Sequence, residues 1–325
     1  MPATVRLVLA AAFAGALATS CLAAPRVVAT IKPIHSIAAN VMAGVAEPHL
    51  LLDAAISEHT AQLTPSQVEA MQDADLIVVV GENLEAFLAK ALENPEIAQK
   101  KLFEASEVHG LTLLPVRSGG LWEPHHHDHG AEEEGHAGDD HEDSGHDDHD
   151  HAHGGHDPHV WMDPGNAKAI ATALAATLAG IDPENAARYR ANAAKFAADI
   201  DRLSARFADA VKPVRDRRYI VFHDAYQYFE NRFGLSPAGS ITVNPEVAPG
   251  ARRIKEIHDR IAQTGAVCVF AEPQFESRYV ETVIEGTGAR ASVLDGLGAQ
   301  APSGSEAYAG MMRRFVTALT ACLKG

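Results

Sequence analysis

The sequence predicts an α/β protein of two lobes, each with a roughly four-stranded, mostly parallel sheet flanked by helices, joined by one long rigid linker helix. Three observations carry this prediction. Short apolar runs alternate with helical patterns in two successive series, the arrangement that gives parallel sheets. One run, Leu76–Val80, is uninterrupted between Asp75 and Gly81, as in a strand covered on both faces. Between the two series, Tyr189, Phe196, Ile200, Leu203, Phe207 and Val211 recur at helical spacing and form one apolar stripe. A helix over 182–211 is about 40 Å long at ~1.5 Å per residue, the length of a whole domain. A chain of 325 residues has room for two domains of ordinary size.

In chain order, Val27–Ile31 reads as a buried strand, and Lys32-Pro33 opens a helix that closes at Gly44. His49–Leu52 is a second strand. Thr64-Pro65 forms an N-cap and first-turn pair for the next helix. After Leu76–Val80, Leu84–Leu92 is helical and Leu111–Val116 reads as the fourth strand. Asp163-Pro164 is another cap pair, for a helix ending near Gly180, and Asp182-Pro183-Glu184 starts the long helix. The second series has strands at Tyr219–Phe222, Ser240–Val243, Val267–Ala271 and Ala291–Leu294. Its helices are Ala225–Phe233, Pro249–Gln263 and Glu306–Leu323. The divisions expected are 1–23 as a leader, 24–181 as the first lobe, 182–211 as the linker and 212–325 as the second lobe.

The leader reads as a secretion signal. Arg6 is followed by the apolar run Leu7–Leu17, then by Cys21-Leu22-Ala23 before Ala24-Pro25 as a small-x-small cleavage site. Lipid anchoring at Cys21 is the alternative, from the imperfect lipobox Ala18-Thr19-Ser20-Cys21. Export leaves Cys268 and Cys322. In an oxidising compartment these form one disulfide or, alternatively, stay as two buried thiols.

The formal charge is −16, and 13 of the negative residues fall within Glu123–Asp157, which has no Lys or Arg. The remainder is nearly balanced, which excludes a basic nucleic-acid binder. The same run holds 11 of the 18 histidines: His125, His126, His127, His129, His136, His141, His146, His149, His151, His153 and His156. Such composition cannot bury enough apolar surface to offset ordering, so a disordered insertion of the first lobe is expected. Imidazoles interleaved with carboxylates point to auxiliary metal contacts. A charged solubilising linker would explain the acids but not the histidines.

Outside the tract, His59, His159, His223 and Asp295 stand out. His59, His223 and Asp295 each follow a predicted strand and precede a helix, and His159 sits just before its helix. In open parallel sheets ligands bind beyond the carboxyl ends of the strands. Two facing lobes would bring these four together as three imidazoles and a carboxylate, a good tetrahedral zinc set. Singly, each has a plainer reading as a polar loop residue, a strand-end hydrogen-bonding group or a helix cap. Protonation of the imidazoles near pH ~6.5 would weaken such a site.

Several motifs resemble the cluster A-I metal-binding proteins of ABC importers. They are Glu58-His59 with Leu63-Thr64-Pro65-Ser66 and Asp73-Ala74-Asp75-Leu76; Asp157-Pro158-His159-Val160-Trp161-Met162-Asp163-Pro164; Phe222-His223-Asp224-Ala225-Tyr226; Phe270-Ala271-Glu272-Pro273-Gln274-Phe275; and Leu294-Asp295-Gly296-Leu297-Gly298. The resemblance covers nearly all of the mature chain and is strongest to the zinc-specific members. It implies two four-stranded lobes on one rigid helix with limited closure, and Zn²⁺ as cargo held by His59, His159 and His223. The fourth donor it implies is Asp295, with Glu58 and then water as alternatives. His223 stands where manganese and iron relatives usually have Glu, and Cys268 with Cys322 resembles the disulfide of the zinc members. Thr60-Ala61 departs from the Asp-Tyr that often follows the first ligand. The implied partner is an inner-membrane ABC zinc permease with its cytoplasmic ATPase, served by a monomer in the periplasm. An Mn²⁺ or Fe²⁺ carrier is the nearest alternative. An exported zinc hydrolase is more distant, because no HExxH or GxSxG motif is present. The tight site is expected to survive deletion of Glu123–Asp157.

Overall fold

The computed structural model describes residues 23–117, 122, 155–242, 245 and 247–325. The expected leader, and the tract histidines His125 to His153, lie outside them.

The first lobe is a parallel sheet of β1 (Val27–Ala29), β2 (His49–Leu50), β3 (Leu76–Val79) and β4 (Lys101–Glu104), in the order β2-β1-β3-β4. Its helices are α1 (Lys32–Val41), α2 (Pro65–Asp73), and the short α3 (Ala89–Leu92) and α4 (Pro95–Ala98). Two long helices follow, α5 (Pro164–Ile181) and α6 (Ala186–Val211). The second lobe repeats the pattern with β5 (Tyr219–Val221), α7 (Gln227–Phe233), β6 (Pro237–Ser240), α8 (Ala251–Thr264), β7 (Cys268–Ala271), α9 (Arg278–Ile284), β8 (Arg290–Val293) and α10 (Ala307–Lys324). Its sheet is again parallel, in the order β6-β5-β7-β8.

Local chemistry explains the boundaries. Thr64 caps α2 with a complete capping box, exchanging hydrogen bonds with Gln67 ahead of Pro65. Asp163 caps α5 through the N–H of Gly165, with Pro164 at the first position. Gly234 and Gly265 end α7 and α8 at φ of 68° and 65°, left-handed values that favour glycine.

Two strands depart from expectation. Leu111–Val116 is not a strand of the sheet; it makes one antiparallel bridge, Pro115 with His156. Proline has no N–H to give a ladder, and Leu113 and Val116 are exposed. The fourth strand is Lys101–Glu104, where Phe103 alone is buried. A short, charged sheet edge of this kind protects against unwanted pairing but gives little apolar pattern to read. The strand expected at Ser240–Val243 instead occupies Pro237–Ser240, with proline tolerated at its first position.

The expected stripe of α6 is buried: Tyr189, Phe196, Ile200, Leu203, Phe207 and Val211, joined by Ala193. It packs against α5, α1 and α10. One apolar cluster runs from Val27 and Ile34 through Trp161 and the α6 stripe to Tyr219, Phe270 and Phe315, so the two sheets share a core. Each sheet also covers its outer face with a smaller cluster, around Met71 and Ile97 in one and Ile257 and Val283 in the other. Helix α10 is bound to β7 by the Cys268–Cys322 disulfide, yet also packs on α1 of the other lobe. No helix among the described residues is long and apolar enough to cross a membrane.

Candidate metal centre

Both sheets run from their first strand to one neighbour and then back to the other side. This places a topological switch point between β1 and β3, and another between β5 and β7. The two crevices are used differently. In the first, Thr30 beyond β1 donates to Glu85, whose carboxylate also accepts the N–H groups of Val80 and Gly81 at 2.7 and 3.1 Å. Burial pushes the Glu85 carboxyl up to about 7, against the lowering effect of those hydrogen bonds. In the second, His223 follows β5 and Glu272 follows β7, and His223 Nδ1 lies 2.6 Å from Glu272 Oε1.

The other two imidazoles come from the first lobe. His59 lies in the loop after β2, where its backbone N–H donates to Ser57 Oγ at 3.2 Å. His159 precedes a short 3₁₀ turn, Val160–Met162, that leads into α5. Its backbone N–H and its Nδ1 are both bonded to Asp157 Oδ1, at 2.9 and 2.7 Å.

The three rings converge. Their centroids are 5.3 to 5.6 Å apart, and one donor atom from each lies within 4.8 Å of the others. The Nε2 atoms of His59, His159 and His223 are all buried and have no hydrogen-bond partner. A buried polar atom without a partner is costly, and three within 4.8 Å of one another make a donor set suited to one ion. The carboxylates on Nδ1 of His159 and His223 fix the tautomer that leaves Nε2 with a free lone pair.

The protonation of these groups is set by burial and by one another's charges. Burial, followed by the charges of His159 and His223, lowers His59 to about 2, so this imidazole stays neutral. At His223 burial is the largest single effect and lowers the pKa, but the charge and hydrogen bond of Glu272, with the charges of Glu58 and Asp224, together outweigh it and raise the value. Burial raises Glu58, opposed by His159 and His223. Its Oε1 lies 4.0 Å from His59 Nε2.

Asp295 does not join the three imidazoles. Its Oδ1 accepts backbone N–H groups from Leu297, Gly298 and Ala299 at 3.3, 2.7 and 3.0 Å, so it serves as the cap of its own turn. The turn is also tied across the lobes, because Trp161 Nε1 donates to the carbonyl of Gly296 at 2.9 Å. His156, the one tract histidine among the described residues, is exposed at the foot of the insertion, where it bridges Pro115.

Sequence reasoning missed the roles of Asp157 and Glu272. A signal existed for each: Glu272 follows a strand as His223 does, and Asp157 is two residues before a candidate ligand, close enough to bond the same ring. Their positions give a test. Asp157→Asn and Glu272→Gln should each weaken metal binding about 10- to 100-fold while the protein remains folded. Isothermal titration of both variants checks this, and native affinity in both would remove their orienting role.

Comparison with known proteins identifies the family. A family model described as ZnuA, the periplasmic component A of zinc-uptake complexes, matches residues 27–322. The high-affinity zinc uptake system protein ZnuA of Brucella abortus is 45% identical over 329 residues, 98% of each chain. That of Yersinia pestis is 37% identical, over 93% of this chain and 92% of its own. A crystal structure of ZnuA superposes with a TM-score of 0.73 over 92% of this chain and 99% of that one; at 23% identity it bears on the fold alone. From the match over residues 27–322 and the 45% identity over 98% of the chain, the chain belongs to the ZnuA family, the periplasmic A components of zinc-uptake complexes.

Proposed function

We propose that this chain is a periplasmic solute-binding protein that captures Zn²⁺ between its lobes and hands it to an inner-membrane ABC permease driven by a cytoplasmic ATPase. The observation that carries this reading is the triangle of buried, unpartnered Nε2 atoms of His59, His159 and His223. Neutral imidazoles suit zinc, and a nitrogen-rich set disfavours manganese, which prefers oxygen donors. Zinc–nitrogen bonds of about 2.0–2.1 Å in a tetrahedron put donors roughly 3.3 Å apart. The triangle, with separations of up to 4.8 Å, therefore contracts around the ion. Glu58 is the fourth donor in this reading, because its Oε1 lies 4.0 Å from His59 Nε2 whereas Oδ1 of Asp295 is taken up by its own turn. Water is the next choice.

The remaining expectations belong to the same proposal. Residues 1–23 act as an export signal, 24–181 and 212–325 form the lobes, and 182–211 links them in a monomer. The histidines from His125 to His156 act as weaker, exchangeable contacts that gather zinc near the cleft. Zinc is cargo rather than a catalyst here. Family membership in a transport complex weighs against an exported hydrolase.

Calorimetry on a deletion tests the reading. The deletion must end before His156, because Asp157 holds His159 and its N–H pairs with the carbonyl of Leu114 at 2.8 Å. Removing 123–154 should leave one tight zinc event and eliminate weaker heat at higher zinc ratios. Loss of the tight event would transfer the site to the tract.

A further inference from the structure

We propose that Arg117 is a positioning residue that sets how long the cleft retains its ion. This rests on the zinc reading above. Arg117 lies at the end of the stretch leading from the first lobe towards the insertion, yet its guanidinium is paired in the second lobe. It donates to Asp224 Oδ1 at 3.0 Å and to Glu230 Oε2 at 2.5 Å, and lies 4.5 Å over the ring of Trp122. Asp224 immediately follows His223. Glu230, on α7, is 2% exposed and also accepts from Tyr219 Oη at 2.8 Å. One fork thus holds two carboxylates of the opposite lobe, a geometry that arginine supplies and lysine does not.

The position matters because contacts across the two lobes are unequal. On the deep side the lobes share a continuous core, and Lys32 Nζ donates to the carbonyls of Gly298 and Ala301 at 3.0 and 2.9 Å. Around the site the crossing contacts are polar. Gln274 Nε2 donates to the carbonyl of Ala54 at 2.7 Å, Tyr228 Oη to that of Asp157 at 2.7 Å, and Arg232 pairs with both oxygens of Asp163 at 2.8 Å. Of the two arginines, only Arg117 lines the metal cavity itself. Arg117 lines the same cavity as the three imidazoles, together with Asn83 and Trp122. Separation of the lobes on this side must break its ion pairs and leave Glu230 buried without its cation, which is costly. A contact completed when the halves meet acts mainly on escape rather than entry.

The test measures zinc dissociation from the full chain by mixing zinc-loaded protein with excess chromogenic chelator. Association is followed in parallel, along with the melting temperature of the zinc-free protein. Arg117→Met should raise the dissociation rate constant about tenfold, with association changed less than about threefold. Arg117→Lys should fall between Met and native. An arginine with only a structural role would lower the zinc-free melting temperature and leave dissociation unchanged. Dissociation from Arg117→Met within about threefold of native overturns the proposal. If that variant does not fold, Arg117→Lys and Asp224→Asn decide by the same criterion. Native protein that holds no zinc overturns the zinc reading and the role of Arg117 with it, whereas zinc-binding native protein with unaltered variants overturns only the latter.

Discussion

Replacing His223 with alanine should cost two to three orders of magnitude in zinc affinity, the largest effect expected of any single substitution. Structural zinc sites bind with about 10–16 kcal/mol at neutral pH. Shared over four donors, each ligand accounts for roughly 2.5–4 kcal/mol, at ~1.4 kcal/mol per factor of ten. His223 is the imidazole that the second lobe contributes, and its Nε2 is buried and free while Nδ1 is held by Glu272. Alanine removes the donor and the 2.6 Å imidazole contact to Glu272, leaving that carboxylate only its weaker backbone bond from residue 223 at 3.4 Å and its contact with Tyr226. The carboxylate of Asp224 beside His223 does not take the imidazole's place, because it is engaged with Arg117. Titration of native protein and the variant with Zn²⁺, and with Mn²⁺ in competition, measures the loss. Discrimination between the two metals should narrow as nitrogen is removed from the set. Affinity within about threefold of native would place the ion elsewhere.

The second large effect concerns stability. The Cys268–Cys322 bond joins β7 to α10 across a sequence separation of 54. In the chain-entropy model, closing a loop of this size removes enough freedom from the unfolded chain to contribute about 4 kcal/mol. Helix α10 carries Tyr308, Phe315 and Leu319 into the shared core and packs against α1 and α6. Loosening its end therefore weakens the region where the lobes meet, not an isolated tail. The Cys268→Ala/Cys322→Ala protein should melt roughly 7 °C lower, from ~2.1 cal/mol/K of unfolding entropy per residue. Calorimetric melting of both proteins without zinc measures this. Equal melting temperatures would mean that packing of α10 alone secures the helix.

The two-lobe fold was legible because its signals are local. Leu76–Val80 is apolar throughout, Thr64-Pro65 and Asp163-Pro164 carry their own caps, and the α6 stripe repeats at helical spacing. The fourth strand was not legible, since a half-exposed edge such as Lys101–Glu104 buries one side chain and so leaves no periodic pattern. Leu111–Val116 has the apolar composition of a strand, but Pro115 has no N–H to donate to a ladder. Its actual use is tertiary: the N–H of Leu114 bonds to Tyr228 Oη at 3.3 Å, and Arg117 crosses to the second lobe.

The same division applies to the site. His59, His159 and His223 could be picked out because each sits at a strand end or helix entrance where ligands gather in this fold class. Asp295 shares that placement, but its carboxylate turns back onto its own backbone, a choice that depends on the conformation of the following residues. The orienting carboxylates Asp157 and Glu272 depend on which oxygen meets which ring nitrogen, a relation that only three-dimensional placement fixes.

Anomalous diffraction at the zinc edge, on crystals of the 123–154 deletion grown with equimolar zinc, tests the central claim most directly. One strong peak about 2.0–2.1 Å from the Nε2 atoms of His59, His159 and His223, with Glu58 or water completing the tetrahedron, is the expected result. A peak bonded to fewer than two of these imidazoles, or none between the lobes, would contradict it.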